Sequence, residues 1–94
     1  MSPEQCRAAR GWLDWSQQVL AARAHVSLST VKDFEKGRRV PIPNNLEAMR
    51  RAIETAGVWL VFDGGGKAAG IAVVGSSGLN VETRRSPELP GADE

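Results

Sequence analysis

The sequence predicts a mainly α-helical domain that ends in a short β-hairpin. Three observations lead there. Gln17 to Gly37 packs two short helical patterns into one stretch, joined at His25-Val26-Ser27. Apolar residues flank that stretch at helical spacing on both sides. Val58 to Phe62 then switches to a β-branched and aromatic run, too short for a helix and bounded by glycines.

The paired stretch comes first. Val19, Leu20 and Ala24, with Ala21 beside them, recur on one side of the first pattern. Val31 and Phe34 repeat three apart in the second, and Leu28 leads them. Ser27 is placed to cap the second helix, because its hydroxyl can accept from the exposed N–H groups of the first turn. Gly37 can end that helix in a left-handed conformation. Helices this short do not form alone and must pack on each other and on a third element.

This is the layout of a helix-turn-helix, in which the second helix enters the major groove and the first crosses the sugar-phosphate backbone. Ser16-Gln17, Leu20-Ala21, Ala24, Val26-Ser27, Ser29-Thr30-Val31, Phe34-Glu35, Gly37 and Pro41 together carry the pattern. Over residues 3 to 57 the chain resembles the lambda-repressor-like family, the Cro/C1 or Xre-type DNA-binding domains. The resemblance implies a lambda-repressor-like four-helix domain, here with a short C-terminal β-hairpin. His25 stands where the family usually has glycine, a position that often needs positive φ, which His tolerates at some cost.

The remaining elements follow in chain order. Ser2 is an N-cap candidate, Pro3 suits the first helical position, and Gln5 completes a capping box. Cys6, Ala9, Leu13 and Trp12 form the expected inner face of this helix, which Asp14 ends. Trp15 precedes the next cap, Ser16, and can staple against Leu20; Trp12 and Trp15 are read as core. After Gly37, Pro41 and Pro43 impose an extended segment. Asn44 then reads as the cap of a helix with Leu46, Met49, Ile53 and Ala56 inward, ended by Gly57. Val58–Phe62 and Ile71–Val74 are the two strands, paired across the Asp63-Gly64-Gly65-Gly66 loop. An isolated hairpin is marginal, so its apolar surface wants a partner, and a second copy of the chain is the simplest one. Residues 1–57 are therefore expected to be the DNA-binding domain, 58–75 a dimerising strand pair, and 76–94 a flexible tail rich in Ser, Gly, Pro and charge.

Composition narrows the function. The chain has 94 residues, 41% hydrophobic and 24% charged, enough for one small core. Its net charge of +1 is split unevenly: residues 1–53 hold nine Lys/Arg against five Asp/Glu, and residues 54–94 three against six. A basic front half suits a polyanion. No apolar run reaches membrane length and no signal peptide is seen, so the expected location is cytoplasmic, bacterial or phage and nucleoid-associated. One cysteine, Cys6, and one histidine, His25, exclude an internal disulfide or Cys/His metal cluster. No cofactor is expected.

Several residues could carry DNA chemistry. At the N-terminal end of the recognition helix, Ser27 and Ser29 face the groove in this motif. Lys32 could donate to guanine O6 and N7, Asp33 could accept from cytosine N4, and Leu28 could pack on a thymine methyl. Lys36 lies on the same side, and Arg38 and Arg39 follow the helix and should reach phosphates. Gln17 and Gln18 open the preceding helix, and the resemblance implies that Gln17 holds a phosphate. Asn44 and Asn45 could do likewise, but capping alone is the preferred reading. The resemblance also implies a structural ion pair between Arg10 and Glu35.

Other sites fail. Gly64-Gly65-Gly66-Lys67 is no phosphate loop, because the first Gly would fall on Val61 and no Ser/Thr follows Lys67. Cys6 lies on an apolar face without an activating His nearby in sequence. Asp14, Asp33 and Glu35 lack metal-ligand or acid/base spacing, and nothing argues for an enzyme. Two functions remain. The first is a sequence-specific transcriptional regulator acting as a homodimer on a two-fold operator. The alternative is an antitoxin or protein-interaction module that grips a partner through the C-terminal strands. The fold without DNA binding is a distant third.

Overall fold

The computed structural model describes residues 1–73; the expected tail and Val74 lie outside the described residues. Four helices and a two-stranded antiparallel hairpin follow one another: α1 Pro3–Leu13, α2 Gln17–Ala24, α3 Leu28–Glu35, α4 Pro43–Thr55, β1 Val58–Phe62 and β2 Ala68–Val73.

Local chemistry sets most of the boundaries. Ser2 and Gln5 form a reciprocal capping box on α1, with Pro3 in its first turn, and Asp14 closes the helix at φ 58°. Ser16 caps α2 through Val19 N, and Ser27 caps α3 through Thr30 N. His25 ends α2 at φ 58°, in the left-handed region that the turn requires. Its N–H and that of Val26 reach back to Ala22 O and Ala21 O, which lets the chain reverse within three residues. Gly37 follows α3 at φ 76°.

α2 packs on both α3 and α4, α1 lies across α3 and β2, and α4 supports β1. The centre holds Cys6, Ala9, Leu20, Ala21, Ala24, Val31, Phe34, Met49, Ile53 and Val58. Ala21 and Ala24 are small enough for close approach of the helices. In the hairpin, Val58 pairs with Val73 and Leu60 with Ile71 on the core side; Trp59 and Ala72 form the opposite side. A bulge after Val61 shifts the register so that Phe62 faces Ala68. Asp63 closes the turn by accepting from Gly65 N and Lys67 N at 2.8 and 2.9 Å, with Gly66 at φ 83°.

Five expectations need correction. Asn44 is not a cap: Ile42 holds the N-cap position of α4 without a side-chain bond, Pro43 occupies the first turn, and Asn44 and Asn45 lie inside the helix. Proline is preorganised for that turn and lacks the N–H that a cap would satisfy. Trp12 is 43% exposed rather than core. Val19, on the first turn of α2, and Ala56, just past α4, are also exposed. The second strand begins earlier than expected, at Ala68, and passes through Gly70 instead of starting after it.

A polar residue joins α1 to the hairpin. Gln5 is 3% exposed, and its Nε2 donates to Val61 O at 2.8 Å and Gly70 O at 3.0 Å. One amide thus satisfies two carbonyls beside the bulge and ties the hairpin to α1.

Candidate nucleic-acid interface

The candidate interface is built on α3, and its orientation follows from which side is buried. Val31, Phe34 and Glu35 turn inward. Ser29, Lys32 and Lys36 are exposed, and so are Ser27 before the helix and Arg38 and Arg39 after it. Leu28 and Asp33 are half-buried. Of the two carboxylates on α3, one is therefore withdrawn into the protein and the other partly covered, while the four cations at and beyond its C-terminal half stand in solvent. The exposed side is cationic.

Glu35 is withdrawn at the cost of desolvation, and the surrounding donors compensate. Arg10 grips it as a fork, Nε to Oε2 at 2.6 Å and Nη2 to Oε1 at 2.7 Å. Cys6 Sγ donates to Oε2 at 3.1 Å, and Gln17 Nε2 to Oε1 at 3.1 Å. Burial pushes the Glu35 carboxyl up, but hydrogen bonds from Arg10, Cys6 and Gln17 and the Arg10 charge outweigh it, so its pKa lies below the ordinary carboxylate value. The same bond to Glu35 raises the Arg10 guanidinium. Arg10 also donates to Trp15 O at 2.9 Å, and Arg7 to the backbone carbonyl of Glu35. The C-terminal half of α3 is thereby fastened to α1 through side chains, and to the start of α2 through Gln17.

Gln17 and Gln18 begin α2 at its N-terminus, where the first backbone N–H groups have no intrahelical acceptor and the helix dipole favours an anion. Gln18 is exposed; Gln17 is half-buried and spends one amide N–H on Glu35. The Ser27 hydroxyl is also occupied, since it accepts from Thr30 N at 3.1 Å and lies 2.8 Å from Thr30 Oγ1 and 3.1 Å from Ser29 Oγ. Trp15 stays partly buried against the core, with the Arg23 guanidinium 4.6 Å from its ring centre.

Three residues of this assembly were not singled out by the sequence as partners of Glu35: Cys6, Arg7 and Gln17. Helical spacing finds neighbours within an element. It says nothing about which side chain of α1 meets which of α3.

The family model described as a helix-turn-helix domain matches residues 4–58. The chain belongs to the helix-turn-helix domain family. The match runs from Glu4, the second residue of α1, to the first residue of β1, so it spans the four helices of the fold apart from Pro3. A search of the curated proteins found no match. In a helix-turn-helix domain the second helix of the motif is the one presented to DNA, and here that helix is α3. Among the described residues no helix is long and apolar enough to cross a membrane, and no group of three or more His, Cys, Asp or Glu gathers into a potential metal site.

Proposed function

We propose that this helix-turn-helix domain is a sequence-specific DNA-binding transcriptional regulator of the Cro/C1 type. It acts in the cytoplasm as a homodimer, with α3 in the major groove. The observation that carries the reading is the sidedness of α3. Its buried side, ending in Glu35, is clamped to α1 and α2, and its opposite side leaves Ser29 and Lys32 exposed. Lys32 reads guanine, Leu28 a thymine methyl and Asp33 a cytosine amine. Gln17, Gln18, Ser27, Lys36, Arg38 and Arg39 hold the backbone. Asn45 is half-buried beside the connection that carries Arg39.

Dimerisation runs through the hairpin. Trp59, Val61 and Phe62 are 47%, 38% and 45% exposed on one strand. Two copies would set two α3 helices into successive major grooves, about 34–36 Å apart. The same surface supports a second reading, in which a toxin or other protein covers the strands. The two are separated by sedimentation of the purified protein: a homodimer abolished by Trp59→Ser supports the first, and a monomer that co-purifies with another protein the second.

The deciding experiment selects bound duplexes from a random pool and titrates the winner across salt. Enrichment of a palindrome, with affinity falling as salt rises, is the expected result. Uniform recovery of all sequences would refute the reading.

A further inference from the structure

Val40 and Ile42 are the two most exposed large apolar side chains among the described residues, at 74% and 63%. They do not lie on the hairpin. They sit on the connection between α3 and α4, directly after Arg38 and Arg39. Scattered exposed apolar residues need no explanation, but these two are a matched pair. Pro41 between them is buried. Val40 precedes Pro41 and Ile42 precedes Pro43, so both are held out of the helical region; Ile42 has φ −57° and ψ 153°. In such a chain alternate residues point opposite ways. Burying Pro41 therefore drives Val40 and Ile42 outward, and the prolines fix them there at little entropic cost.

The surroundings indicate what covers them. Val40, Pro41 and Ile42 form one wall of a cleft of about 210 Å³ whose other side is Ser29, Thr30 and Asp33 of α3, with Arg39 and Asn45 completing it. The apolar pair thus follows the exposed Arg38 and Arg39 directly along the chain, beside the Ser29 end of α3. A DNA strand presents that same alternation, charged phosphates separated by the C–H faces of deoxyribose. Resting on the function proposed above, we infer that Val40 and Ile42 pack against the deoxyribose rings of the strand whose phosphates Arg38 and Arg39 engage. Val40 and Ile42 then contribute affinity by excluding water from sugar, while Arg38 and Arg39 contribute by charge.

The test is a DNA titration across salt with V40S/I42S beside R38A/R39A. Both altered apolar side chains are exposed, so the folded state should be kept; circular dichroism and the melting temperature verify this. V40S/I42S should lose roughly tenfold or more in affinity, from two apolar side chains no longer buried, with the slope of log K against log salt unchanged. R38A/R39A should flatten that slope by about two. Single ribonucleotides placed through the bound duplex give a second readout, since a 2′-hydroxyl against an apolar side chain is left without a partner. Wild-type protein should lose affinity at one or two adjoining positions, and V40S/I42S should be indifferent there. Specific wild-type binding combined with full affinity of V40S/I42S overturns this inference alone. A wild-type protein that binds no DNA overturns the proposed function with it. A change in self-association of V40S/I42S without DNA assigns the pair to a second copy of the chain, and overturns it as well.

Discussion

The thiol of Cys6 donates a hydrogen bond of 3.1 Å to the carboxylate of Glu35, joining the middle of α1 to the end of α3 inside the protein. The bond explains why a lone cysteine can sit at 0% exposure next to a buried charge. It is one of four side-chain bonds that keep Glu35 ionised, and it makes the position of α3 depend on α1.

Breaking the pair at the Arg10 end should be costly. Arg10→Ala leaves a carboxylate with 2% side-chain exposure and no cation, which typically costs about 3–5 kcal/mol. Denaturant unfolding should show that loss. Arg10→Lys should recover only part of it, because an ammonium cannot reproduce the two-pronged grip. An unchanged midpoint for Arg10→Ala would contradict the assigned role.

Stability should also depend on acid in a defined direction. The folded pKa of Glu35 is lowered, so the native state holds fewer protons than the unfolded chain. Its contribution is present above the unfolded value of about 4.3 and is lost as pH falls through the folded one. Urea midpoints should decline below about pH 4.3, and Glu35→Gln should remove much of that decline while lowering stability at neutral pH.

Cys6 behaves in the opposite sense. Burial first, then the hydrogen bond to Glu35 and its charge, push the thiol above its ordinary range. A group whose folded pKa is raised loses its contribution as pH climbs past the unfolded value, about 8.5. Alkylation of native protein at neutral pH should be at least about a hundredfold slower than in denaturant, because it waits on unfolding. Rapid labelling of the folded chain would show that the thiol is accessible.

Gln5 predicts a local effect. Gln5→Leu keeps the bulk but strips Val61 O and Gly70 O of their shared donor, at a cost of about 1–3 kcal/mol. Hydrogen exchange should rise in β1 and β2 well before it rises in α3. Uniform acceleration throughout would mean that the hairpin is not held at this point.

His25 offers a change in the stabilising direction. It occupies φ 58° as an L-residue, a conformation costing roughly 1 kcal/mol that glycine adopts freely. His25→Gly should raise the thermal midpoint slightly, the relief being offset in part by the more flexible unfolded chain.

Short-range chemistry made much of this fold legible. Ser2, Ser16 and Ser27 cap helices because a hydroxyl three residues before an N–H is a local arrangement, and Asp14, His25 and Gly37 end helices for equally local reasons. The hairpin followed from its glycine turn and β-branched composition. Errors arose where two local signals competed or where a face had to be chosen. Asn44 lost the cap position to Ile42 because Pro43 starts the helix, and Trp12 followed the apolar period of α1 but fell on its solvent edge.

What the amino-acid order determined by itself is the succession of elements and the sidedness of α3, since caps, breakers and periodicity act over a few residues. Tertiary structure alone decided which donors join Arg10 around Glu35, that Gln5 tethers the hairpin, and that burying Pro41 turns Val40 and Ile42 outward. Those relationships join residues as much as 65 positions apart, and a distance of that kind is set only when the helices pack and buried polar groups must find partners.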